Sequence, residues 1–135
     1  NYISQPNPQY NYSPIVLVNG QKGARPWKGH QWIGFDTSRV IFEITLPKRK
    51  KINSIHLSFL ESNGSWIYLP KSIQIQKLNK KTIRSKTIKT ENVNIKIRKR
   101  LKKIRFVIEN VKIIPAHSPG AGHTPWTFID EIEFH

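Results

Sequence analysis

A chain of 135 residues, 37% of them hydrophobic, is long enough to bury one core and too short for two. It contains no cysteine, which excludes a disulfide framework, a thiolate metal site and a cysteine nucleophile. No apolar run approaches the roughly 20 residues that span a bilayer, and a formal charge of +15 gives a surface that attracts polyanions through fields that salt screens.

Residues 1–14, rich in Pro, Asn, Gln and Tyr, read as a lead-in, and residues 15–135 as the domain itself. The stretch Asn19 to Phe35 is irregular and longer than an ordinary hairpin loop. Val40, Phe42, Ile44 and Leu46 then alternate with polar residues, as do Ile55, Leu57 and Phe59, which predicts two strands. Ile73 and Ile75 alternate with glutamines. Val93, Ile95 and Ile97 form a further set, followed by Ile104, Phe106 and Ile108. A second long irregular stretch, Ile114 to Trp126, precedes the closing set of Phe128, Ile132 and Phe134. Asp130 shares parity with Phe128 and Ile132, which implies either a paired buried acid or a register break. No window shows helical apolar spacing, so the chain is all-β, two packed antiparallel sheets with one wet face each. Jelly-roll and immunoglobulin-like sandwiches both satisfy this pattern. The absence of methionine, even at position 1, is expected of a piece cut from a longer polypeptide.

Three tryptophans, Trp27, Trp32 and Trp126, fall in the two long loops, and Trp66 follows the turn-prone Asn63-Gly64-Ser65. An indole offers a flat apolar face and one N–H donor, which suits the C–H face of a pyranose, although each ring could equally plug an end of the core. In His117-Ser118-Pro119-Gly120-Ala121-Gly122-His123, two histidines flank small residues that let a ligand approach the backbone. Without a carboxylate or cysteine at a recognised spacing, the pair is a weak zinc signal. No nucleophile elbow, phosphate-cradling loop or H-E-x-x-H is present. Asp130, Glu131 and Glu133 crowd onto one strand, and neighbours there face opposite ways, unlike the two carboxyls that flank a scissile glycosidic bond. Between Lys77 and Arg105 there are thirteen basic residues, one acid and no aromatic residue. That composition favours a solvated sheet face or attraction to acidic polysaccharide over nucleic-acid recognition, which interleaves charge with stacking platforms.

Four stretches carry a resemblance: PNPQY at Pro6 to Tyr10, LVNGQKGARPWKGHQWIGF at Leu17 to Phe35, GSWIYLPKSIQI at Gly64 to Ile75, and AHSPGAGHTPWTFIDEIEF at Ala116 to Phe134. In this order they resemble the discoidin-like (coagulation-factor type C, galactose-binding-like) domains, specifically those C-terminal in bacterial family-20 glycoside hydrolases, the β-N-acetylhexosaminidases. The resemblance implies a jelly-roll β-sandwich, a non-catalytic module exported with its catalytic domain, and carbohydrate contact through loops at one end. The candidate ligand-binding residues are Trp66, His117, His123, Trp126, Trp27 and Arg25. It also implies a structural calcium ion held by a glutamate near the end of the last strand, matched by Glu131, and by a residue after the first strand, where Asn19 stands in place of the usual aspartate. The alternatives are a domain that only packs on its catalytic neighbour, and a basic module for acidic polysaccharide or nucleic acid.

Overall fold

The computed structural model describes residues 33–135, so Asn19, Arg25, Trp27, Trp32 and the lead-in lie outside the described residues. Among the described residues six strands, β1 (Ile33–Phe35), β2 (Arg39–Phe59), β3 (Ser72–Gln76), β4 (Thr82–Thr87), β5 (Asn92–Glu109) and β6 (Thr127–Phe134), form antiparallel ladders in the order β1-β6-β2-β5-β3-β4.

Two strands belong to both layers, and they fold this ribbon into a sandwich. The first half of β2, Arg39 to Thr45, pairs with Lys103 to Glu109 of β5, which also carries β3. The second half, Lys50 to Ser58, pairs with Asn92 to Leu101 and, from Ile55 onward, with β6. Between the halves the register jumps from Thr45 opposite Lys103 to Lys50 opposite Leu101, so four residues of β2 face one of β5. Pro47, which has no N–H for the ladder, sits in this protrusion. Just beyond, Asn53 faces both Ile97 and Arg98, and Arg98 takes a left-handed φ of 54°. Bulges of this kind bend a strand without ending it.

The sequence pattern divides each of these long strands in two. The structure corrects that reading, because the ladder continues through the bend. It also corrects the irregular reading of Asn19 to Phe35 at its end, where Ile33–Phe35 pairs with β6. The register break at Asp130 is present: Glu131 lies opposite Ser58 and Ile129 opposite Phe59. One extra residue there puts Ile129 and Ile132, three apart, into the same core.

That core joins the layers. Phe42, Ile73, Ile75 and Phe106 from one meet Ile55, Ile95 and Ile132 from the other, all at most 4% exposed. Each such side chain contributes about 1.5–3 kcal/mol when buried. Phe42 and Phe106 stack with centroids 5.0 Å apart. At the sandwich edge, Arg84 and Lys86 of β4 donate to the carbonyls of Lys96 (3.1 Å) and Asn94 (2.7 Å), covering backbone groups of β5.

This topology gives the sandwich two unlike ends. β2 finishes at Phe59 beside Ile129, and β3 starts at Ser72 opposite Glu109. The segments 60–71 and 110–126 therefore meet at one end, away from the bend of β2 and β5.

Candidate functional site

The segment after β2 folds on itself before reaching β3. Ser62 and Ile67 exchange backbone hydrogen bonds (2.8 and 3.1 Å) around a single 3-10 turn, Asn63–Ser65. Trp66 ends that turn with φ 65° and ψ 20°. A bulky residue in the left-handed region is uncommon and costs roughly 1–3 kcal/mol, and such strain concentrates where a side chain must be aimed. The indole is consequently presented outward, 37% exposed.

The second loop is closed at its neck by Ile114 N donating to His123 O (2.8 Å) and Gly122 N donating to Ile114 O (3.1 Å). Inside it, Ser118, Ala121 and His123 donate in turn to the carbonyls of Pro115, Ser118 and Gly120. Such tight winding uses left-handed φ at His117 (66°), Gly120 (79°) and Gly122 (88°). Trp126 N donates to Trp66 O (2.7 Å) and Tyr68 N to Trp126 O (3.2 Å), a short parallel bridge that fixes one loop to the other. The Tyr68 hydroxyl donates to Pro119 O at 2.6 Å, pulling the tip inward.

The bridging places the imidazole of His123 on the indole of Trp66, with centroids 4.2 Å apart and planes 20° from parallel. Gly120 lies directly against the same indole: a Cβ there would come within 2.4 Å of Cδ1. The result is a pre-formed aromatic surface with a ring N–H and an imidazole beside it, able to cover an apolar face and donate or accept at hydroxyls.

Of the described candidates, Trp66 and His123 are brought into contact, and His117 is exposed six positions earlier in the same loop. Trp126 is half-buried, edge-on to Phe128 at 5.9 Å and packed on Leu60, Ile67 and Phe128, so it supports the loops as well as bordering them. Glu131 is 1% exposed in β6. Among the described residues no group of three or more His, Asp or Glu is arranged to hold a metal.

Sequence reasoning passed over Tyr68, Gly120 as a contact residue, and Asn110. The Asn110 amide donates to Tyr68 O (3.1 Å) and Thr127 Oγ1 (3.2 Å), while its carbonyl accepts from Val111 N (2.8 Å). It is 6% exposed and ties the start of the second loop to the first loop and to the start of β6. A lone Asn after an apolar run carries no signal of such a role.

No protein-family model and no curated protein matches the sequence. Solved structures do match. A Streptococcus pneumoniae fucose binding module, SpX-3, superposes with a TM-score of 0.64 at 16% identity, over 100% of this chain and 90% of that one. A GH31 CBM32-2 bound to GalNAc gives 0.64 at 15%, over 98% and 91%. The chain has the galactose-binding-like β-sandwich fold. This decides between the two sandwiches left open by the sequence pattern, in favour of the jelly roll. Part of a larger chain, a Ruminococcus gnavus GH29 fucosidase mutant in complex with fucose, also superposes, with a TM-score of 0.64 at 8% identity, over 98% of this chain and 24% of that one.

Proposed function

We propose that this chain is a non-catalytic carbohydrate-binding module of a secreted bacterial glycoside hydrolase. The observation that carries the reading is the Trp66–His123 stack, exposed at the loop end and held by a strained backbone. A core plug would be buried and relaxed. Support comes also from the solved structures, which include modules bound to GalNAc and to the Lewis b antigen. In this reading Trp66 covers the C–H face of a sugar ring, and His123 and His117 orient its hydroxyls. Trp126 borders the site; Arg25 and Trp27 are carried as further candidates on the resemblance alone.

The resemblance of the four quoted stretches supports a β-N-acetylhexosaminidase as the parent and its catalytic domain as a partner in the same polypeptide. A structural calcium belongs to the same reading. The resemblance matches Glu131, a buried carboxylate of β6, to the family's glutamate ligand, and carboxylate oxygens are the donors a hard cation takes. Glu131 and Asn19 would hold it.

A glycan array probed with the 135-residue chain and with Trp66→Ala and His117→Ala tests the function. Binding to N-acetylhexosamine-terminated glycans, lost in both variants, is the expected outcome. Binding to no glycan would leave a domain that only packs on its neighbour.

A further inference from the structure

The end of the sandwich opposite the aromatic loops has a different chemistry. Segments 46–53, 77–81 and 97–103 carry twelve lysines and arginines and no aspartate or glutamate. The bend of β2 and β5 gathers them. The four-residue protrusion holds Lys48 and Arg49, the bulge holds Arg98, and the β3–β4 hairpin adds Lys77. Arg49, Lys77, Lys99, Arg100, Lys102 and Lys103 line a shallow hollow of about 420 Å³, all six exposed. None of them lies in an ion pair among the described residues.

Pairing along the β2/β5 ladder sets this region apart from the rest. In the first half, Arg39 stands opposite Glu109 and Glu43 opposite Arg105, with ion contacts of 3.5 and 3.3 Å. At the bend, Lys51 stands directly opposite Arg100. Like charges facing each other across a ladder destabilise it, and a bound polyanion relieves that repulsion. The fold thus places complementary pairs in the first half of the ladder and a like-charged pair where the cations converge.

We propose that this bend is a second binding site, separate from the Trp66–His123 surface, for a linear acidic polysaccharide. Cations on two adjacent strand segments and a neighbouring hairpin match carboxylates or sulfates repeated along a chain. The observations favour this ligand over nucleic acid because residues 46–53 and 77–105 contain no Phe, Trp or Tyr on which bases could stack. A module with sites at both ends gains avidity on a matrix that carries neutral sugars and acidic chains together.

The test is affinity electrophoresis of the 135-residue chain in gels containing polygalacturonate, chondroitin sulfate, neutral dextran or poly(U) RNA. Retardation by the two acidic polysaccharides and not by dextran is expected, falling steeply between about 50 and 200 mM salt. Lys51→Glu combined with Arg100→Gln should weaken it roughly tenfold or more, whereas Trp66→Ala should leave retardation by polygalacturonate, which holds no N-acetylhexosamine, unchanged. Lys51→Glu alone places opposite charges across the ladder, so its thermal midpoint should hold or rise while binding falls. That combination separates lost binding from lost folding. Should the double variant unfold, Lys48→Gln with Arg49→Gln on the exposed protrusion takes its place. Unchanged retardation in these variants, equal loss in Trp66→Ala, or tighter binding of poly(U) would each overturn the second site. Failure here leaves the glycan-array result untouched, and the reverse also holds.

Discussion

Gly120 lies against the pyrrole part of Trp66 at a distance no other residue type could keep, since a Cβ would stand 2.4 Å from Cδ1 and 2.6 Å from Nε1. Its φ of 79° independently selects for glycine. Gly120→Ala should therefore displace the indole, disturb the His123 stack and lower stability by roughly 1–3 kcal/mol. Urea unfolding with a crystal structure of the variant is the check. An unmoved Trp66 and an unchanged midpoint would refute the packing described.

Trp66 itself separates strain from packing. Trp66→Ala keeps the left-handed backbone and loses the ring stack, about 0.5–1.5 kcal/mol. Trp66→Gly loses the same stack but relieves the backbone by about 1 kcal/mol. The Gly variant should thus be the more stable of the two, with both failing to bind glycan. Equal stability would show that the turn holds no strain.

Asn110→Asp preserves shape but removes the two amide donations to Tyr68 O and Thr127 Oγ1. The cost is about 1–3 kcal/mol, because the orphaned groups lie at a buried junction. Since both loops hang from that junction, sugar affinity should fall with stability. Hydrogen exchange faster at Tyr68 and Thr127 than in the variant's β5 would locate the damage; uniform acceleration would argue against a local role.

In the core, Phe106→Ala opens a cavity beneath the Phe42 ring and should cost about 3–5 kcal/mol in urea unfolding. A loss under 1 kcal/mol would mean the layers are not packed as described.

If calcium is held by Glu131, adding it at a hundred times its dissociation constant should raise stability by about 2.7 kcal/mol. Glu131→Gln should abolish that gain. A thermal midpoint indifferent to calcium and to chelator alike would remove the ion from the account.

Much of this protein is written in local alternation. The exposed and buried positions of Val93 to Arg98 follow the period of two seen in the sequence, because a strand with one wet face needs nothing else to specify its sides. The all-β class was readable for the same reason; at Asp130 the pattern left a paired buried acid or a register break, and the ladder has the break; Trp66, His117 and His123 stood out by residue type.

Three things were decided only by tertiary structure. The interval from Leu46 to Ile52 reads as a break between strands, yet a turn and a bulge share the same polar, proline-containing composition, and only pairing with β5 tells them apart. The contact between Trp66 and His123 depends on two loops meeting where β2 and β5 end, an adjacency that the order of strands in the ribbon creates. Likewise the repulsive facing of Lys51 and Arg100 follows from a register set by two bulges. Local preference fixes which face a residue takes, whereas its neighbours across the sheet are set by how the whole ribbon bends.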